Sequence, residues 1–132
     1  MITGVVKDGK AWLLLKVIGS QGQEQEVEAV IDTGCTESLT LPPSLVAALD
    51  LRWRKVDSAI MADGSECIYD MYDAQVLWDG KAHSVLVAEL NTFPLVGMGL
   101  LNGYELKMQV RPGGKVTIKQ LSIGPRARKR RG

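Results

Sequence analysis

Turn dipeptides limit what this chain can fold into more than any other feature it has. Asp-Gly occurs three times, at Asp8-Gly9, Asp63-Gly64 and Asp79-Gly80, each time between two short apolar runs. Glycine enters the left-handed backbone region freely and aspartate tolerates it, so the dipeptide suits a tight β-hairpin turn. Asp8-Gly9 separates residues 4–7 from residues 10–18 and reads as a type I′ hairpin. Asp63-Gly64 separates residues 58–62 from 66–72, and Asp79-Gly80 separates 74–78 from 82–88. A further hairpin turns at Arg111-Pro112-Gly113-Gly114, between the strict alternation of residues 104–110 and the run 115–118. Long helices have no room between such turns, and the spacing predicts an all-β domain.

One stretch departs from that rule. Pro42-Pro43 followed by Leu45, Ala48 and Leu49 on one face predicts one or two turns of helix. Before it, residues 24–31 start with polar alternation and end in Ala29-Val30-Ile31, the pattern of a strand that passes from surface to core. A weak echo of this strand, turn and helix order recurs from Val85 to Leu101, and suggests two related halves. The chain has 132 residues, enough for one core and too few for two domains. With 45% hydrophobic and 23% charged residues, it is neither a mainly disordered chain nor a fibre.

Charge and cysteine usage narrow the functional classes. Five cations, Arg126, Arg128, Lys129, Arg130 and Arg131, cluster at the end of the chain, while residues 1–125 hold 11 cations against 15 acids, a net −4. We therefore expect one domain over residues 1–125 and a solvated, disordered basic tail over 126–132, with nucleic acid an unlikely partner. Cys35 and Cys67 are too few for a disulfide framework and fit no zinc spacing, and His83 is the only histidine, so no metal or other cofactor is expected. A Cys35 and His83 pair has no local signature to support it. The apolar run 11–15 is broken at Lys16, far short of a membrane span, and no secretory pattern opens the chain. These readings predict a cytoplasmic protein with no membrane partner.

Asp32-Thr33-Gly34 is the feature that structure alone does not account for. A carboxylate directly after Val30-Ile31 ends an apolar strand, where an ionised acid is costly unless it is paired or keeps its proton. A bare Asp-Xaa-Gly is usually an ordinary turn or helix cap. Its surroundings are more specific: Ala29-Val30-Ile31-Asp32-Thr33-Gly34-Cys35-Thr36, then Leu39-Thr40-Leu41-Pro42-Pro43, then Leu95-Val96-Gly97-Met98-Gly99-Leu100-Leu101 some sixty residues on. In these motifs, and over about residues 1–120, the chain resembles the retropepsin-like aspartic proteases, more closely their single-lobed prokaryotic branch.

The resemblance implies a closed β-barrel of acid-protease type with one or two short helices, working as a homodimer on peptide or protein substrates. Such enzymes activate water between two carboxylates that share one proton. Asp32 is the only aspartate in an Asp-Xaa-Gly of that kind here, so a second copy would supply its partner. Asp32 would act as acid and base, Thr33 would lock the two catalytic loops together across the dimer, and Gly34 would let the backbone approach the carboxylates. Leu95, Val96 and Gly97 would support the loop from beneath. Ala62, Asp63, Gly64 and Ser65 would form the tip of a flap over the substrate. The apolar runs 2–6 and 116–118 would build a sheet shared between the copies. Trp12, Trp53 and Trp78 read as core or dimer-contact residues.

Two residues depart from the family pattern: Cys35 follows the glycine, and Gly99 stands where many relatives carry aspartate. The rival reading is a catalytically weak or inactive module of the same fold that dimerises or captures peptides. A third is a nucleic-acid-associated protein acting through the basic tail.

Overall fold

The computed structural model describes residues 1–122, so the expected basic tail lies outside the described residues. Ten strands and two short helices follow in the order β1 (Ile2–Lys7), β2 (Lys10–Ile18), β3 (Glu24–Ile31), β4 (Leu39–Leu41), α1 (Pro43–Ala48), β5 (Arg52–Ile60), β6 (Glu66–Trp78), β7 (Lys81–Glu89), β8 (Leu95–Val96), α2 (Met98–Leu101), β9 (Tyr104–Met108) and β10 (Lys115–Gln120). The all-β reading holds. Neither helix is long and apolar enough to cross a membrane.

All ten strands form one sheet in the order β5-β6-β7-β4-β8-β3-β2-β1-β10-β9. A further pairing of β6 with β2, from Lys16↔Leu77 to Ile18↔Gln75, closes the six inner strands into a ring. The core fills that ring. Val17, Ala29, Leu39, Leu41, Val76, Val87 and Val96 are fully shielded from solvent, and Trp78 closes one end with its ring edge-on to Tyr104. Alternation places these side chains inward while Glu24, Glu26 and Glu28 face water along β3.

The two halves suggested by the sequence share one topology. Each runs hairpin, long strand, short strand, helix, over β1 to α1 and β5 to α2. The short strand of each half lies parallel to the long strand of the other, β4 beside β7 and β8 beside β3, and β4 and β8 pair antiparallel between them. This exchange brings the turn after β3 against the start of α2.

Several boundaries differ from the sequence reading. Residues 66–72 and 74–78 form one strand, β6, because Asp73 stays at the surface, where Arg54 holds it at 2.9 Å. The alternation of residues 104–110 ends at Met108, where the chain bends toward its turn. Runs 2–6 and 116–118 do not present a free edge to a second copy: β1 pairs β10 within the chain, from Ile2↔Ile118 to Val5↔Lys115, and pairs β2 on its other side. Among the described residues, the free edges of the sheet are β5 and β9. Of the three tryptophans, Trp78 is buried, Trp12 is half-buried against Phe93, and Trp53 lies exposed with its indole N–H donating to Asp70.

Candidate active site

Strand β3 delivers Asp32 to the end of the ring, and β8 holds it there. The Val30 N–H donates to the Pro94 carbonyl and the Asp32 N–H to the Val96 carbonyl, both at 2.9 Å. Beyond this point the chain turns on the aspartate. Its carbonyl accepts the Cys35 N–H at 3.1 Å and its Oδ1 accepts the Gly34 N–H at 2.9 Å. Asp32 is therefore a turn residue and also a half-exposed carboxylate at the mouth of a cleft, two readings that the sequence set against each other. A Cβ on Gly34 would lie 3.3 Å from that same Oδ1, so the glycine keeps the carboxylate uncrowded.

Leu95, Val96 and Gly97 lie against this loop. The Gly97 N–H donates to the Ser38 carbonyl at 3.1 Å, Met98 N–H to the Cys35 carbonyl at 2.8 Å, and Gly99 N–H to the Glu37 carbonyl at 3.2 Å. Such close backbone approach explains both glycines. A Cβ at Gly97 would overlap the Glu37 carbonyl oxygen, and one at Gly99 would sit 2.6 Å from the Ser38 hydroxyl. Gly99, a departure from the family pattern, is thus required by the packing of Ser38 in this chain. Cys35, the other departure, points its thiol toward the buried Thr40 hydroxyl, 3.9 Å away.

The hairpin of β5 and β6 leans over the loop and leaves a cleft of about 480 Å³. Asp32, Gly34, Thr36 and Glu37 line it from the loop, Ser58 to Ala62 from the hairpin, and Tyr69, Ala88, Leu90 and Leu95 from the ring. Five consecutive hairpin residues line it because the free edge of β5 faces it. The Met61 N–H donates to the Ser65 carbonyl at 2.8 Å, so the alternate residues Ser58 and Ile60 turn their backbone groups away from β6.

At the hairpin tip, Gly64 has φ +87°, its N–H donates to the Met61 carbonyl, and Asp63 Oδ1 accepts both the Ser65 N–H and the Ser65 hydroxyl. Those two bonds hold the Asp63 carboxyl below its ordinary range. Of the four residues expected at the tip, Ala62 lines the cleft, while Asp63, Gly64 and Ser65 lie beyond it. Thr33 is exposed beside the cleft, outside its lining. His83 is exposed on β7 opposite Val76 and does not line the cleft with Cys35.

Two cleft residues escaped sequence reasoning. The buried Tyr69 hydroxyl donates to Glu37 Oε2 at 2.8 Å, and burial, followed by that carboxylate, pushes its phenol above the ordinary range. Alternation along residues 66–72 marks Tyr69 as facing inward, but nothing local in the sequence connects it to position 37.

The ring, the exchanged short strands and the hairpin over the Asp-Thr-Gly turn together define the retropepsin-like fold. Among solved structures, the crystal structure of a retropepsin-like aspartic protease from Rickettsia conorii matches with a TM-score of 0.54 over 92% of this chain and 91% of that one, at 15% identity. At that identity the likeness establishes the fold, and function has to be argued from the residues. No protein-family model matches the sequence, and no curated protein matches it.

Proposed function

We propose that this chain is an aspartic endopeptidase that works as a homodimer, each copy contributing one Asp32 to a shared centre. The observation that carries the reading is the placement of the Asp32 carboxylate at the mouth of a cleft roofed by a hairpin, in the retropepsin-like fold. Two carboxylates brought within about 3 Å cannot both ionise, so the pair holds one proton. The ionised partner takes a proton from the attacking water while the protonated one donates to the carbonyl oxygen of the scissile bond. The pair titrates as a unit.

Gly34 supports this by donating its N–H to Oδ1, which fixes the carboxylate plane. The free edge of β5 offers Ser58 and Ile60 backbone groups to an extended peptide, which adds as a strand against the hairpin. The second copy docks where Thr33 and Gly34 are exposed, with the exposed apolar side chains of Phe93 and Met98 nearby. Its contacts do not use the β1 and β10 runs, which are already paired.

The test is digestion of a mixed peptide library between pH 4 and 6, with and without a statine-type inhibitor. We expect inhibitor-sensitive cleavage by the natural chain and none by a folded Asp32→Asn variant. Full cleavage by that variant refutes the proposal.

A further inference from the structure

Among the described residues the cleft holds two carboxylates, Asp32 and Glu37, and no lysine, arginine or histidine lines it. The proposed chemistry uses Asp32 and leaves Glu37 without a task. Glu37 is nevertheless firmly placed: its carbonyl accepts the Gly99 N–H at 3.2 Å, and its Oε2 accepts the Tyr69 hydroxyl at 2.8 Å. Among the described residues Tyr69 is the only donor to that carboxylate, and none of the ion pairs involves it. A partly buried anion with one neutral donor is under-compensated. Ala59, Ala88, Leu90 and Leu95 give the same cleft apolar lining, beside the polar Thr36, Thr40 and Ser58.

A side chain that satisfies both features has an aliphatic stem and a cationic head. We propose that Glu37 is a specificity-determining residue that makes the cleft select peptides carrying lysine or arginine at the position beside it. The inference rests on the peptidase reading and names what its substrate carries. Tyr69 serves as a positioning residue: it holds one carboxylate oxygen and leaves Oε1 to face the incoming cation.

The experiment has two arms, both with the full chain. In the first, one extended peptide sequence carries a single Lys moved through successive positions, each compared with Met at the same position. At one position the Lys peptide should show kcat/KM about ten- to a hundredfold above the Met peptide, the span of a charge-assisted hydrogen bond. Glu37→Gln should bring that ratio to within about twofold of one, and Glu37→Asp should retain part of it. In the second arm, binding of the same labelled peptides to Asp32→Asn protein is read by fluorescence anisotropy.

Tighter binding of Lys peptides with no turnover of any peptide by the natural chain would keep the cation site and sink the peptidase reading. Turnover without preference for Lys at any position, or a preference that survives Glu37→Gln, overturns the site and leaves the peptidase reading standing. Absence of both turnover and peptide binding overturns both.

Discussion

The Tyr69 hydroxyl lies 2.8 Å from Oε2 of Glu37 and ties the inner face of the hairpin strand β6 to the loop that begins at Asp32. Burial first, and then that carboxylate, raises the phenol above its ordinary value. A proton held more tightly in the folded state stabilises the fold at pH values below the unfolded value, near 10, and the contribution is lost as pH rises past it. Tyr69→Phe should therefore cost about 1 kcal/mol at pH 7, and lose less additional stability than the natural chain between pH 9 and 11. Urea midpoints at the two pH values check this. Equal losses in both proteins would show that the Tyr69 proton does not contribute.

Gly97 and Gly22 give a paired test of backbone space against backbone conformation. An added methyl at Gly97 meets the Glu37 carbonyl oxygen, with the Cys35 carbonyl oxygen 2.8 Å away, and neither can yield without breaking the bonds that hold the loop. At Gly22 nothing lies within 4 Å, but φ is +80°. Gly97→Ala should cost about 2–3 kcal/mol and lower Tm by roughly 10 °C, whereas Gly22→Ala should cost about 1 kcal/mol. Scanning calorimetry of the two variants decides it, and similar shifts in both would contradict the close approach at Gly97.

At the hairpin tip, Asp63 accepts two bonds from Ser65 and its carboxyl is held below the ordinary range. A depressed carboxyl stabilises its turn above the unfolded value near 3.9 and loses that effect as pH falls through the folded value. Acidification below about pH 4 should therefore loosen the tip before it affects the ring. Asp63→Ala should reproduce the loosening at neutral pH, seen as faster amide exchange at residues 61–65 with protection at Val17 and Val76 unchanged. Uniform loss of protection across the chain would show that the tip is not a separate unit.

The hairpins were legible because their information is local. Asp8-Gly9 and Asp79-Gly80 have positive φ at both residues, 52° and 72° in the first and 53° and 81° in the second, as type I′ turns require. The same dipeptide at Asp63-Gly64 behaves differently: only Gly64 is left-handed, in a three-residue loop closed by the Met61 N–H to Ser65 carbonyl bond, where one left-handed residue suffices. Asp32 and its supporting run 95–97 were also legible, since each is a contiguous motif. Closure of the ring through β2 and β6, the pairing of β1 with β10, and the contact of Tyr69 with Glu37 across 32 positions were not. They depend on which surfaces meet after collapse, and alternation alone gives the face of a strand without naming its neighbour.

The dependence on a second copy is the most demanding consequence of the proposed chemistry. In the repeated half of the fold, the loop between β7 and β8 is Leu90-Asn91-Thr92-Phe93-Pro94, which holds no carboxylate, so the turn that mirrors Asp32 does not supply a second acid from within the chain. Asp32→Asn preserves the size of the side chain and the oxygen that accepts the Gly34 N–H, while removing the charge. When equal amounts of natural and Asp32→Asn protein exchange subunits, about one quarter of the dimers keep both carboxylates, and total activity should fall to about half that of the natural protein alone. A tenfold excess of the variant should lower it to about one eleventh. With peptide in large excess over total protein, sequestration of substrate by the variant is negligible, and only shared centres produce this loss. Activity that stays constant through the titration would mean that one chain is sufficient, and that the proton attributed to a pair of Asp32 carboxylates resides elsewhere.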